Sequence, residues 1–384
     1  MNKSTCMIVK KNMRILMLAR ATLYTSPGGD TVQITSTAQS LRALGVKVDI
    51  RLSNEEIKYS DYHLMHFFNI IRPDDILPHI KQSALPFVVS TIFVDYGEFE
   101  KRNRQGILKI INTLLSSDQM EYLKTVARFI LNGDKINSLY YLLNGHSKSI
   151  KYVAKHVKML LPNSDSEFQR FVKSYGGNSE YRKVPNAIDP DVFDDNVIAN
   201  HDFKDHVLCV GRIEGRKNQL NLIKALAGTE LKLTLIGKPS PNHMKYFTEC
   251  KKLASENSNV QIIEHIDHEQ LSSIYKAAKV HVLPSWFETT GLSSLEAGIM
   301  DCNIVVTDKG DTVEYFGDLA FYCDPDSVES IREAVVKAHK SVVKPDLKEK
   351  IIENYTWDKA AEETYIAYKK VLNVVDQDSL TYQH

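Results

Sequence analysis

Two carboxylates, Glu288 and Glu296, stand with seven residues between them, in the run Glu288-Thr-Thr-Gly-Leu-Ser-Ser-Leu-Glu296. Gly291 lies inside that interval. The run follows the apolar segment 279–284 (KVHVLP) and leads into 297–300 (AGIM), an order that reads as strand, tight loop and helix start. In α/β proteins this junction holds anionic ligands, because the first helical amides and the positive end of the helix dipole point at them. The two acids differ in setting: Glu288 belongs to the loop and Glu296 to the first turns of the helix. They therefore do not read as a matched pair acting on one bond. Ser293 and Glu296 alone would fit a capping box, with Glu three residues after Ser. That plainer reading leaves Glu288 and Gly291 unexplained.

Cations accompany the acids. Gly211-Arg212 directly follows the apolar run 206–210, and Lys217-Asn218 lies just beyond. Arg as a planar fork and Lys as a point charge, at the end of a core strand, suit a diphosphate. A helix N-terminus contributes only about 0.3–1 kcal/mol toward an anion, so a strongly hydrated diphosphate needs such partners. Gly28-Gly29 follows the first apolar run, 13–19. Glycine there lets backbone approach a ligand, although a simple turn uses it equally well. The pattern Gly-x-Gly-x-x-Gly is absent, which disfavours a nicotinamide dinucleotide. His265 and His268 have a spacing that metal ligands can use, but no third or fourth ligand accompanies them, so no metal is expected.

Positioning these residues requires two α/β units. Apolar runs at 13–19, 46–50, 62–68 and 86–92 alternate with helical patterns, and a second alternation has runs at 206–210, 231–236, 260–263, 280–283 and 303–306. The polar stretch 190–205 reads as the linker, which predicts one domain over 13–190 and another over 203–355. Lys+Arg and Asp+Glu are both 48, so overall charge gives no reason to expect nucleic acid. The charge is lopsided locally: residues 101–158 carry eleven Lys and Arg against three acids, with Leu108, Ile110, Ile111, Leu114 and Leu115 as an apolar side. That segment reads either as a solvated face or as attachment to an anionic membrane or lipid-linked substrate. The five cysteines form no Cys-x-x-Cys pair, and no uncharged run of membrane-spanning length occurs. A cytoplasmic protein, peripheral on the inner face of the membrane, is the expectation.

Taken in order, the Gly28-Gly29 loop, Pro185-Asn-Ala-Ile-Asp189, Gly211-Arg212 with Lys217-Asn218, the Glu288/Glu296 motif and Tyr355-Thr-Trp357 resemble the retaining nucleotide-sugar glycosyltransferases of the GT-B fold, specifically glycosyltransferase family four. The resemblance spans most of the chain. It implies two Rossmann-like domains facing across a cleft, with the last helix, 357–375, crossing back to complete the N-terminal, acceptor-binding domain. It also implies transfer of a sugar from a nucleoside diphosphate sugar, of UDP or GDP type, to a glycan or lipid-linked acceptor hydroxyl. No cofactor or metal is required in such a reaction. Arg212 and Lys217 would hold the diphosphate, Gly29 would pack on it from the other domain, and Glu296 would bind the ribose hydroxyls. Glu288 would contact the sugar, with the amides of Thr290, Gly291 and Leu292 near sugar and phosphate, and Ile263 and Ile266 would line the base pocket. The chain departs from the family where many members carry a histidine after the strand at 86–92; it has Phe93-Val-Asp95-Tyr96, and Asp95 takes that place. A nucleotide-sugar epimerase of the same fold and a non-catalytic sugar-nucleotide-binding protein are the rival expectations.

Overall fold

β1 (Arg14–Ala19), β3 (Leu64–Phe68) and β4 (Phe87–Ser90) are almost wholly buried, as continuous apolar runs must be when helices cover both faces of a parallel sheet. The structure, a computed structural model, describes residues 13–94, 118–123, 125, 137–194 and 196–374. With β2 (Lys47–Leu52) and β5 (Met159–Leu161) these strands form one sheet of order β2-β1-β3-β4-β5, parallel at every pairing. The second sheet contains β6 (Val207–Val210), β7 (Leu233–Ile236), β8 (Val260–Ile263), β9 (Val280–Leu283), β10 (Asn303–Thr307) and β11 (Phe321–Cys323). Its order is β11-β10-β9-β6-β7-β8, again all parallel. From β6 the chain winds outward through β7 and β8, then returns to the other side of β6 as β9. The β6/β9 boundary is thus a topological switch point, and the loops leaving those two strands diverge around it.

The chain divides into two compact units. The first runs through Phe93, resumes to Asn186 and takes in the chain from Trp357; the second holds Ala187–Thr356. Helix Trp357–Leu372 therefore belongs with the first sheet, lying against helix Gly29–Ala43. A buried polar contact fixes it there: Tyr368 Oη is 2.6 Å from His66 Nδ1, and His66 Nε2 is 2.8 Å from Ser90 Oγ. Burial drives the His66 pKa down to about 3, so the imidazole is held neutral.

Two elements lacked a sequence signal. β11 is only three residues long and half-buried, paired on one side to β10. Helix Pro345–Asn354 sinks Leu347 and Ile351 onto helix Leu292–Ile299, where Ile351 Cδ1 lies 2.9 Å from the point a Cβ on Gly298 would occupy. Of the basic segment 101–158, helix Leu139–His156 is described, with Gly145 at φ 76° interrupting it. Most of 101–136, including the apolar side at Leu108–Leu115 and Arg102, lies outside the described residues. Among the described residues no helix is long and apolar enough to cross a membrane.

Candidate functional site

The loops leaving β6 and β9 are stitched together by backbone and amide groups. Asn218, in the left-handed region at φ 63°, donates through Nδ2 to the carbonyls of Pro284 at 3.1 Å and Pro325 at 2.8 Å. The Trp286 N–H donates to the Arg216 carbonyl at 2.9 Å. These bonds hold Lys217 against the β9 loop, where its Nζ donates to Glu288 Oε2 at 2.6 Å. Ser285 Oγ donates to the same oxygen at 3.0 Å. Glu288 is only 5% exposed. Burial alone would raise its pKa, but the charges of Lys217 and Arg216 and the two hydrogen bonds outweigh it and hold the carboxyl below the usual range.

Backbone at Glu288 is fixed as firmly as its side chain. Its N–H donates to the Lys309 carbonyl at 3.0 Å and its carbonyl accepts from Asp311 N–H at 2.9 Å. Gly310, at φ 109°, passes so close that a Cβ there would lie 2.0 Å from the Glu288 carbonyl oxygen. Only glycine fits that crossing. Gly291, in the left-handed region at φ 70°, caps the N-terminus of helix Leu292–Ile299, and its carbonyl accepts from Ser294 N–H at 2.7 Å. Because the helix starts at Leu292, Ser293 is already inside it, and no Ser293–Glu296 capping box forms. The amides of Leu292 and Ser293, ahead of the first bond to the Gly291 carbonyl, have no acceptor within the helix and give the loop its anion-seeking character.

Glu296 sits on the same helix with separate partners. His268 Nε2 is 3.0 Å from its Oε1, and Tyr275 Oη donates to its Oε2 at 3.2 Å. That bond to Glu296 raises the His268 pKa. Arg212 is exposed, whereas Arg216 pairs with the buried Glu214 at 2.8 Å. Burial pushes the Glu214 carboxyl up, but Arg216 and Arg212 hold it below its usual value. Thr290 is buried; Ile263, at the end of β8, and Ile266 beyond it are half-buried against the core of this unit. The second unit thus gathers Arg212, Lys217, Glu288, Thr290, Gly291, Leu292 and Glu296 on the β6 and β9 loops and the helix that follows β9.

The first unit contributes Gly29, exposed at the first position of its helix. Sequence reasoning missed the device that shapes this loop. Arg20, immediately after β1, clamps Asp30 at 2.6 and 3.1 Å and reaches the Thr22 and Ser26 carbonyls, both at 2.8 Å. An arginine at the end of a core strand with an acid in the following first helical turn was the available signal. Asp95 lies outside the described residues.

The profile of the family described as "Glycosyl transferases group 1" matches residues 194–356. This segment is similar to the glycosyl transferases group 1 domain. The matched segment begins seven residues after Ala187 and ends with the second unit at Thr356, and it contains every expected site residue except Gly29 and Asp95. Over 315 residues, 78% of this chain and 83% of the relative, the chain is 24% identical to the N-acetylgalactosamine-N,N'-diacetylbacillosaminyl-diphospho-undecaprenol 4-alpha-N-acetylgalactosaminyltransferase of Campylobacter jejuni. It spans about half the length, 54%, of a glycosyltransferase of Methanocaldococcus jannaschii to which it is 27% identical over 50% of its own length. Sucrose-phosphate synthase of Thermosynechococcus elongatus superposes with a TM-score of 0.72 at 14% identity, covering 94% of this chain and 99% of that one. HepE of Anabaena, in complex with UDP and glucose, does so with a TM-score of 0.64 at 13% identity, over 93% and 100% of the two chains. The fold is GT-B. Within the matched segment the two histidines that could have suggested a metal have different partners, His265 bonding to Asp267 at 3.1 Å and His268 to Glu296. Among the described residues no group of three or more His, Cys, Asp or Glu could hold a metal ion.

Proposed function

We propose that the protein is a retaining glycosyltransferase that moves a sugar from a UDP- or GDP-type donor to an acceptor hydroxyl in the synthesis of a cell-surface polysaccharide or glycolipid. The observation that carries this reading is the convergence of Lys217 and Glu288, 2.6 Å apart, at the β6/β9 switch point beside a helix N-terminus. Arg212 and Lys217 hold the donor diphosphate, and as the glycosidic bond to phosphate breaks they stabilise the charge that develops on the leaving group. Glu288 contacts the sugar, Glu296 the ribose hydroxyls, and the Thr290, Gly291 and Leu292 amides complete the seat. Ile263 and Ile266 line the base pocket, Gly29 packs on the diphosphate, and Asp95 steadies the reacting sugar. Retention follows from attack on the face the diphosphate leaves, which needs no enzymic nucleophile. The UDP held by HepE and the undecaprenol-linked acceptor in the name of the Campylobacter relative support the donor and acceptor classes.

The basic segment 101–158 gives the acceptor side its partner, an anionic inner membrane face. Its described helix exposes Leu139, Leu142 and Leu143 and carries Lys148, Lys151 and Lys155. Liposome flotation with anionic lipid at low and high salt tests this; flotation that ignores both charge and salt rejects it. The activity is tested by a donor screen that reads free nucleoside diphosphate with and without acceptor lipid. Acceptor-stimulated release with an α-configured donor giving an α-linked product supports the proposal. Donor interconversion without any acceptor identifies an epimerase, and binding without turnover a sugar-nucleotide-binding protein. Lys217→Ala should weaken donor diphosphate binding about tenfold or more, as loss of a charged hydrogen bond requires.

A further inference from the structure

A buried polar chain in the first unit joins two loops that leave its sheet at the C-terminal ends of different strands. Gln33, one turn into helix Gly29–Ala43 from Gly29, donates through Nε2 to Asn163 Oδ1 at 2.8 Å. The Asn163 N–H donates to Glu167 Oε2 at 2.9 Å. Glu167 Oε1 in turn accepts from Phe93 N–H at 2.8 Å and from the Thr91 hydroxyl. Gln33, Asn163 and Glu167 are 3%, 2% and 0% exposed.

Between Thr91 and Phe93 stands Ile92 at φ 44°. A β-branched residue rarely adopts the left-handed region, and one that does is held there by its surroundings. Here one carboxylate oxygen grips the residue on either side, and Phe93 is wedged edge-on against Phe171 and Tyr175 at 5.7 and 5.8 Å. A fully buried carboxyl group is costly relative to apolar packing, and strained backbone clusters where position matters. The same carboxyl group that pins the exit of β4 is tied through Asn163 to the helix that begins at the glycine loop.

We propose that Gln33, Asn163 and Glu167 are positioning residues that hold the glycine loop after β1 and the exit of β4 in one fixed relation for the transfer step. The inference rests on the transferase reading above. Of the donor contacts proposed above, Gly29 and Asp95 lie beyond the ends of this network, whereas Arg212, Lys217 and Glu296, which carry most of the nucleotide affinity, stand on the second unit. Glu167→Gln, which turns one acceptor oxygen into a donor facing an N–H, and Gln33→Met, which keeps the length and removes the donor, should each lower kcat about 10- to 100-fold, the scale of a misplaced reacting group. KM for the donor and affinity for the free nucleoside diphosphate should stay within about threefold, and the double variant should be no slower than the worse single one, as in a chain acting as one unit. Wild-type kcat in Gln33→Met per nucleotide-binding site, or kcat and nucleotide affinity falling in parallel, overturns the proposal. Gln33→Met decides alone if Glu167→Gln fails to fold. Hydrogen exchange at the Phe93 amide supplies a readout free of activity: Gln33→Met should speed it about tenfold, and an unchanged rate overturns the coupling. An inactive wild-type protein rejects the transferase reading, while exchange at Phe93 still decides whether the two loops are joined.

Discussion

Lys217→Met removes a charge while keeping most of the side-chain stem, and so isolates what the Lys217–Glu288 pair contributes. Opposite charges 2.6 Å apart attract by roughly 6 kcal/mol at an effective dielectric constant near 20. Most of that is cancelled by the desolvation of two groups whose side chains are only 14% and 7% exposed. Removing one partner exposes the other half of the cancellation, because Glu288 then keeps its desolvation cost with only Ser285 Oγ donating to it. Breaking a buried pair costs about 3–5 kcal/mol, and the Ser285 bond with the residual exposure of Lys217 sets the expectation near 3. The assay is chemical denaturation followed by fluorescence. The chain has two tryptophans, and Trp286 is in the second unit while Trp357 is in the first, so a Trp357→Phe background reports the site's own unit. The pH dependence has a definite sign. The folded pKa of Glu288 is depressed, so the stability it contributes is present above the ordinary carboxyl value near 4.3 and is lost as pH falls through the folded pKa. In Lys217→Met the carboxyl keeps its burial but loses the largest influence that lowers its pKa, so it protonates at a higher pH than in the wild type, and the deficit is largest near pH 7 and shrinks in acid. Adding Glu288→Gln should restore about half of the loss. A deficit below about 0.5 kcal/mol at pH 7, one that does not shrink in acid, or a double variant weaker than the single would refute the buried-pair account.

Gly310→Ala should abolish donor binding and lower the melting temperature sharply, since its Cβ would meet the Glu288 carbonyl oxygen at 2.0 Å; wild-type nucleotide affinity in a folded variant rejects that constraint on the loop. Glu296→Ala should erase discrimination between UDP and its ribose-deoxy analogues, about 1.5–3 kcal/mol for a charged hydrogen bond, and retained discrimination in titration calorimetry removes Glu296 from the ribose. His66, buried neutral with a pKa near 3, should cost the first unit stability as pH falls below 6.5, at about 1.4 kcal/mol per pH unit down to the folded value; His66→Gln should flatten that slope, and an unchanged acid limb contradicts it.

The strands were legible because parallel sheets covered on both faces write themselves as apolar runs, and β1, β6 and β9 are such runs, with Gly211 directly after β6 and Pro284 directly after β9. The motif residues were legible for a related reason: a ligand seat at the end of a core strand needs cations, glycine and acids in a few fixed places. What the sequence concealed were pairings between distant positions. Glu288 reads as a loop acid, yet its partner is 71 residues away, and the clamp on β4 joins residues 76 apart. Gly310 looks like any turn glycine until the Glu288 carbonyl is seen beside it. Helix Pro345–Asn354 is amphipathic but polar on average, and its role is set by the groove beside Gly298 that it fills.

The pairing of Lys217 with Glu288 also decides what the two motif acids can do. A general acid must hold a proton near neutral pH, and a carboxyl held below its usual range by an ammonium at 2.6 Å does not. Glu296 is tied to His268 and Tyr275, partners that Glu288 lacks, so the two carboxylates are fixed by separate networks rather than set to flank one bond. For a diphosphate the ion pair is an asset. A lysine has three N–H donors, and spending one on Glu288 fixes the direction of the other two while the stem stays buried. On the proposed reading an arriving phosphate would meet an oriented cation rather than a mobile one, and Glu288 would remain an anion able to accept from a sugar hydroxyl. The seven-residue spacing, on that reading, separates a loop acid that aims a lysine from a helix acid placed for a ribose, and Gly291 between them opens the helix whose first amides would face the phosphate.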